Sequence, residues 1–228
     1  MSSFVFWYLA SLLLLVAFAG WIGRSAEIPS LGRKTWLGIL IDSRERFSLN
    51  RLQLLMWTLL VLATLLALFV PSILHGSGAS SALAIPQHLL ILIGISAGSA
   101  TIAGAVKDGK NNDPKVAGQI ARGGLPHPAA RSVAPAGPAS AARMAILKAS
   151  GNVKPHWRQM FLEEEGTNSE VIVNVSKYQN FIFTIILGIV YLTLTIKTTG
   201  YPDFDEKILW LLGISHGSYV GGKIPDKG

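Results

Sequence analysis

The side chains best placed for chemistry lie in an eight-residue motif that occurs twice. Residues 92–99 read Leu-Ile-Gly-Ile-Ser-Ala-Gly-Ser, and residues 211–218 read Leu-Leu-Gly-Ile-Ser-His-Gly-Ser. Each copy closes an apolar segment, so its polar groups would lie at bilayer depth. Hydroxyl groups there can bond between helices or line a watery path, and an imidazole can relay a proton. The repeat therefore has to be interpreted before any other feature.

Small residues recur at four-residue spacing through both copies of the motif. They are Gly94 and Gly98 in the first copy, and Gly213, Gly217 and Gly221 in and just after the second. On a helix this spacing places glycines on one face, where a second backbone can approach closely. We expect these faces to pack helices together, within the protomer or between protomers.

The hydroxyls of the motif offer an alternative to packing, namely a pore lined by serines. These serines are Ser96, Ser99, Ser215 and Ser218. His216 is the one ionisable residue well inside an apolar segment, and the first copy has Ala97 at that position. We favour a packing histidine over a proton relay, because a neutral imidazole is inexpensive to bury and the segment is short enough to keep it near water.

A related polar element precedes each long apolar segment. Arg51 and Gln53 precede the first, and Lys177 and Gln179 precede the second. Aligning the motifs places Arg51 over Lys177 and Gln53 over Gln179. The glutamines could hydrogen-bond across a pseudo-symmetry axis or cap helix ends. Anchoring in the membrane interface is a sufficient explanation for the two cations.

These motifs sit on helices long enough to cross a membrane. Half of the residues are hydrophobic and only 14% are charged. Apolar segments at residues 4–22, 52–70, 89–106 and 181–196 approach or reach the roughly 20 residues that span a bilayer, while a fifth, 208–220, is shorter. Pro71 is expected to end the second helix. We predict an all-α integral membrane protein with five transmembrane helices, arranged as two parallel-repeat helical hairpins plus one N-terminal helix.

Charge distribution sets the expected orientation. Eighteen of the 20 lysines and arginines fall in residues 24–51, 107–177 and 223–228. Because basic loops stay cytoplasmic, the N-terminus is predicted outside and the C-terminus inside. A cleaved signal peptide is disfavoured, since the basic cluster follows the first apolar segment instead of preceding it. The orientation in the membrane thus explains the excess of basic residues, and no nucleic-acid partner is expected.

Five segments follow from this orientation. Residues 1–23 form the N-terminal helix, 24–47 a basic connector, 48–106 the first hairpin, 107–175 a cytoplasmic loop, and 176–228 the second hairpin with a short tail. Within the loop, residues 109–140 are rich in Pro, Gly and Ala and predict a linker without a core. Residues 157–165 predict a short amphipathic helix at the membrane surface.

Catalysis and metal binding find little support. The chain has no cysteine, and His75, His88, His127 and His156 show no metal-ligand spacing. No P-loop, nucleophile elbow or dinucleotide fingerprint occurs. We therefore expect no catalytic residue, no metal and no cofactor.

The same residues resemble a widespread, mostly uncharacterised family of small bacterial membrane proteins. The resemblance rests on residues 174–179, 201–204 and 211–226 in the second half, and on residues 47–49, Gln53, Trp57, Thr58 and 94–99 in the first. Its members carry tandem helical hairpins, each ending in a Gly-Ile-Ser-x-Gly-Ser/Thr motif. The resemblance implies a multi-pass protein of the bacterial inner membrane and assigns no activity.

Two functions remain open at this point. The leading hypothesis is a non-enzymatic protein that oligomerises in the lipid bilayer and anchors a cytoplasmic protein partner through the loop 107–175. The alternative is an ion channel or pore-forming subunit lined by the two Gly-Ile-Ser-x-Gly-Ser helices.

Overall fold

The computed structural model describes residues 3–28, 33–42, 46–76, 83–111, 155–163 and 172–221. Five α-helices make up most of this part of the chain: α1 (Ser3–Ser25), α2 (Leu49–Leu74), α3 (Gln87–Asn111), α4 (Val175–Thr198) and α5 (Glu206–Gly221). Two-residue strands, β1 (Glu27–Ile28) and β2 (Arg33–Lys34), pair antiparallel after α1. The Pro-rich linker expected at residues 109–140 lies almost wholly outside the described residues.

Four of the helices are long and apolar enough to cross a membrane, namely α1, α2, the first 20 residues of α3, and α4. This confirms the all-α class and a chain with several candidate membrane spans. Helix α5 has 16 residues. At 1.5 Å per residue it is about 24 Å long, somewhat less than the hydrocarbon thickness.

Each helix of the first hairpin packs on its counterpart in the second. Helices α2 and α3 are in contact, as are α4 and α5, and the hairpins join through α2 with α4 and α3 with α5. A hydrogen bond from Gln53 to Thr184 and one between Thr64 and Tyr191 show that α2 and α4 run parallel. The end of the bundle where α2 and α4 begin is called the base end here, and the opposite end is called the hairpin end.

The hydrophobic core lies between these four helices. Trp57 and Leu60 of α2, with Leu187 and Tyr191 of α4, meet two leucine pairs from α3 and α5. Those pairs are Leu89 with Leu92 and Leu209 with Leu212. The rings of Trp57 and Tyr191 pack edge to face with centroids 6.1 Å apart. Helix α1 packs outside this core, where Tyr8 is buried against the small side chains of Ala63 and Ala67.

Two glycines let the connector after α1 approach that helix. A Cβ atom on Gly20 would overlap the ring of Trp36, and one on Gly23 would overlap the Trp36 carbonyl oxygen. Arg24 lies over the same ring, 5.6 Å from its centroid. The apolar run that begins at Trp36 is therefore held against α1 as a 3-10 helix, Trp36–Leu40.

Two local expectations differ from the structure. Helix α2 passes through Pro71 and ends at Leu74. A proline in the last turn removes only one backbone hydrogen bond, so the helix continues for a few residues. The expected amphipathic helix at 157–165 is a 3-10 helix, Trp157–Met160, because Leu162 leaves the helix to form a bridge with Val173.

Candidate functional site

The chain folds into two equivalent turns at the base end, one before α2 and one before α4. The first base turn comprises the described residues of 35–48, and the second those of 156–174. Each starts with a 3-10 helix, continues into a single β-bridge and ends at a helix N-cap. The bridges are Ile41 with Phe47 and Leu162 with Val173, and the N-caps are Ser48 and Asn174.

Backbone bonds repeat between the two turns. The N–H of Asp42 donates to the carbonyl of Arg46 at 2.9 Å, and the N–H of Glu163 donates to the carbonyl of Ile172 at 2.9 Å. The N–H of each N-cap residue returns to the 3-10 segment, from Ser48 to Leu40 and from Asn174 to Phe161. The repeated unit is therefore longer than the membrane hairpin and includes its preceding turn.

One basic side chain closes each base turn. Arg51 Nη1 donates to the carbonyl of Ile41 at 2.6 Å, and Lys177 Nζ donates to the carbonyl of Leu162 at 2.7 Å. Arg51 is exposed, whereas Lys177 is only 3% exposed. The aligned cations thus hold folded turns at the helix starts, a role more specific than interfacial anchoring.

The two turns are also joined to each other. Arg46 of the first turn is buried, and its Nη2 lies 3.4 Å from the carbonyl oxygen of Glu163 in the second. Leu40, Leu49 and Met160 form a shared apolar cluster beneath them. The base end of the bundle is consequently a single folded surface built from both halves of the chain.

Above these turns, α2 and α4 meet through amide and hydroxyl side chains. Gln53 Nε2 donates to Thr184 Oγ1 at 2.6 Å and lies 3.3 Å from the carbonyl oxygen of Asn180. Thr184 donates in turn to that carbonyl at 2.8 Å. Gln53, Asn180 and Thr184 are almost completely buried, while Gln179 is exposed. Gln53 does reach across to the second repeat, but its partners there are not the aligned glutamine.

A second polar contact joins α3 to α5 within the repeated motif. Ser99 Oγ lies 2.7 Å from His216 Nδ1 and donates its proton to the carbonyl of Ser96 at 3.0 Å. A hydroxyl has one proton to give, so Ser99 accepts from a protonated Nδ1. This arrangement favours the neutral tautomer with its proton on Nδ1, which leaves Nε2 as an acceptor. His216 is 2% exposed.

The buried faces of the two hairpins differ from the motif alignment by one residue. Helix α3 buries Leu89, Leu92, Ser96, Ser99 and Ala103, and α5 buries Leu209, Leu212, Ser215, His216 and Tyr219. The spacing matches when Ser96 is paired with His216, whereas the motif pairs it with Ser215. On the first helices, Gln53 likewise corresponds in burial to Asn180. One residue of helix is about 100° of rotation, which turns Gln179 outwards.

The same rotation leaves the motif glycines outside the bundle. A Cβ atom on Gly94, Gly98, Gly217 or Gly221 would meet nothing within 4 Å, and one on Gly213 would meet only Ile95 Cδ1 at 3.8 Å. Ser218 is exposed, unlike Ser96, Ser99 and Ser215. The structure therefore brings three of the four serines together with His216. Among the described helices, none packs against Gly94, Gly98, Gly217 or Gly221.

A further polar contact lies towards the hairpin end of α2 and α4. Thr64 Oγ1 and the Tyr191 hydroxyl are 2.8 Å apart and completely buried. At the hairpin end itself, His88 Nδ1 lies 2.8 Å from Asp203 Oδ1 and ties α3 to the loop before α5. Burial in that loop raises the pKa of Tyr201 to about 12.

Sequence reasoning did not single out Arg46, Asn174, Asn180 or Thr64. A signal existed for Asn180, since an amide three residues after Lys177 shares its helix face. Arg46 reaches the carbonyl of Glu163, which is distant in sequence, whereas Asn174 caps α4 by accepting from the N–H of Lys177. Among the described residues, no group of three His, Cys, Asp or Glu side chains could hold a metal ion.

Comparison with protein-family models, curated proteins and solved structures found no match to the chain.

Proposed function

We propose that this protein is a non-enzymatic anchor of the bacterial inner membrane that holds a cytoplasmic protein partner. The observation that carries the proposal is the base end, where two folded turns from both halves of the chain share one apolar cluster. The loop that follows α3 leads into the second base turn, which is bonded to the first. Such an arrangement suits the display of a loop to a partner.

The proposed orientation places the base end in the cytoplasm, with five spans and the N-terminus outside. Arg46, Arg51 and Lys177 lie at that end, and the two basic segments 24–51 and 107–177 lead into it along the chain, which agrees with the positive-inside rule. Helix α5 would complete the second hairpin as a short span, since a shorter helix is accommodated by local thinning of the bilayer. A chain without native cysteines allows this orientation to be read from single introduced cysteines.

Orientation is tested with Ser150→Cys in the loop and Ser2→Cys at the N-terminus. In intact spheroplasts, an impermeant maleimide should label Ser2→Cys and leave Ser150→Cys unlabelled until the membrane is opened. The opposite pattern would overturn the orientation.

Anchoring is tested by replacing residues 112–150 with a Gly-Ser segment of equal length. A photo-crosslinking amino acid placed at Arg158 in the second base turn should yield a defined cross-linked protein in the native chain and lose it in the replacement. The matched control keeps the composition of residues 112–150 and scrambles their order. Cross-linking that survives the replacement would refute the loop as the docking element.

We also propose that the protein forms homo-oligomers through its glycine faces. Gly94 and Gly217 are exposed and leave room for a neighbouring backbone. Without a hydrophobic drive between helices in lipid, such small-residue faces favour close association. Gly94→Leu and Gly217→Leu should lower the subunit number in native mass spectrometry, whereas Gly104→Leu, on another side of α3, should not. Unchanged assembly in all three variants would contradict this proposal.

The second candidate is a pore-forming subunit lined by the motif helices. It is favoured by the contact of Ser99 with His216 and by the burial of Ser96 and Ser215 beside it. If it is correct, purified oligomers in planar bilayers should conduct, and Ser215→Ala should alter the conductance. An absence of conductance from every purified oligomer would remove this candidate.

A further inference from the structure

The interior of the four-helix bundle changes character along its length. Leucines cross the interior as a layer, here called the leucine layer: Leu60, Leu89, Leu92, Leu187, Leu209 and Leu212. On its hairpin side α2 and α4 bury Thr64, Tyr191 and Thr195. Towards the base end, every one of the four helices buries uncharged polar groups instead. They are Asn50 and Gln53 on α2, Ser96 and Ser99 on α3, Asn180 and Thr184 on α4, and Ser215 and His216 on α5.

Several of these polar atoms have no hydrogen-bond partner among the described residues. On the contact between α2 and α4 they are Asn50 Oδ1, Gln53 Oε1, the indole nitrogen of Trp57, and Oδ1 and Nδ2 of Asn180. Asn180 is completely buried, and Gln53 is 1% exposed. This is unusual, because buried amides in proteins nearly always find partners.

The contact between α3 and α5 shows the same deficit. The hydroxyls of Ser96 and Ser215 and the Nε2 atom of His216 are buried and have no partner among the described residues. With its proton on Nδ1, the imidazole needs a donor at Nε2 that the neighbouring side chains do not supply. The unsatisfied groups therefore belong to all four helices at the base half of the bundle.

An unsatisfied polar group in a membrane interior costs on the order of several kcal/mol. Almost none of the surface of these atoms is open to a water molecule in this packing. The arrangement is therefore costly as it stands, and separation of the helices at the base end would relieve it by admitting hydrogen-bonding molecules.

We propose that the base half of the bundle is a binding site for small uncharged hydrogen-bonding solutes, which enter from the base end and stop at the leucine layer. The structure is the closed form of this site. An uncharged solute is favoured because the site offers amides, hydroxyls and a neutral imidazole, and because no Asp or Glu is buried among the described residues. The buried Lys177 at the base end of α4 already donates to the carbonyl of Leu162. A solute that both donates and accepts would satisfy the amide oxygens and the hydroxyls together.

The leucine layer separates this site from the hairpin end. Leu89 and Leu92 are 0% exposed, and Leu212 is 1% exposed. A dry apolar layer of this kind blocks the passage of polar molecules. The inferred site is therefore open to one side only, which distinguishes it from a pore.

The absence of native cysteines makes access to this site directly measurable. The probe is the neutral, hydrophilic reagent 2-hydroxyethyl methanethiosulfonate, applied to the full-length protein in lipid nanodiscs. Ser96→Cys and Ser215→Cys exchange one oxygen for sulfur and preserve size. Only a thiol that meets water ionises and reacts, so both should be modified about tenfold or more faster than Leu89→Cys.

Three further variants make the result decisive. Leu209→Cys, in the leucine layer on α5, should react as slowly as Leu89→Cys, in the same layer on α3. Gly94→Cys, on the outer face of α3, should also be slow, and this would show that rapid modification reports water inside the bundle. Gel filtration of each variant verifies the fold. If Ser96→Cys and Ser215→Cys react no faster than Leu89→Cys, the site does not open and the proposal is wrong. Equal fast reaction of all buried cysteines would also overturn it, since the leucine layer would then be no barrier.

Discussion

The hydroxyl of Ser99 lies 2.7 Å from Nδ1 of His216, across the contact between α3 and α5. Because that hydroxyl is also placed to donate to the carbonyl of Ser96, the arrangement favours an imidazole that supplies the proton between them. A residue of the first motif copy thereby sets the tautomer of the histidine in the second. The two copies of the motif act on each other at this point, although His216 has only Ala97 as its aligned equivalent.

This contact predicts the tautomer of a single histidine. In a protein labelled with ¹⁵N at histidine, the His216 ring should show a protonated Nδ1 and a bare Nε2. Ser99→Ala removes the acceptor and should shift the Nδ1 signal, while Ser218→Ala, at an exposed serine, should leave it unchanged. A protonated Nε2 in the native protein would contradict the hydrogen-bond arrangement.

Asn180 and Gln53 are predicted to respond in opposite ways to replacement by leucine. Oδ1 and Nδ2 of Asn180 have no hydrogen-bond partner among the described residues. Asn180→Leu should therefore stabilise the fold by about 1–3 kcal/mol, because a desolvation penalty is removed. Gln53 donates across the helix contact, so Gln53→Leu should destabilise it by about 0.6–1.7 kcal/mol.

Reversible unfolding in a lipid bilayer, followed by steric trapping, measures both changes. The native protein and an Ile189→Leu variant, which alters only an exposed side chain, serve as references. A loss of stability in Asn180→Leu would show that its amide is satisfied in the folded protein.

The base turns predict unequal roles for two aligned cations. Lys177 is buried and donates to Leu162, so Lys177→Met should cost about 1.5–3 kcal/mol, the range for a hydrogen bond to a charged group. Arg51 makes the equivalent bond in an exposed position, and Arg51→Met should cost less than about 1 kcal/mol.

Limited proteolysis reports the same difference locally. The second base turn should be cleaved more rapidly in Lys177→Met than in the native protein, and Lys177→Arg should restore most of the protection. Equal effects of the Arg51 and Lys177 variants would mean that burial of the cation does not determine its contribution.

Two glycines on different helices are predicted to differ in their tolerance of a methyl group. Gly20→Ala would drive a Cβ atom into the ring of Trp36, and such overpacking costs about 1–3 kcal/mol. Gly217→Ala meets nothing within 4 Å and should leave the unfolding temperature of the monomer unchanged or slightly raised.

Tryptophan fluorescence adds a specific readout to this comparison. Gly20→Ala should change the emission of Trp36, whereas Gly217→Ala should not. Full native stability of Gly20→Ala, with unchanged emission, would show that the 3-10 helix does not depend on this close approach.

By itself, the sequence determined the class of the protein and the order of its elements. Long apolar segments specify helices in lipid, since only an internally bonded backbone is tolerated there. The repeated Gly-Ile-Ser motif identified which segments are equivalent, and the pairing of Arg51 with Lys177 holds in the bonds that they make. These features are local, so residue type and spacing were sufficient.

Only the tertiary structure decided which face of each helix is buried. A shift of one residue between motif and burial turned Gln179 and the glycines outwards and brought Asn180, Ser215 and His216 inside. Apolar side chains surround these helices on all sides, so a lipid-facing side and a core-facing side carry similar residues. The partners of Arg46 and Gln53 lie more than a hundred residues away, and their pairing depends on how the two hairpins pack.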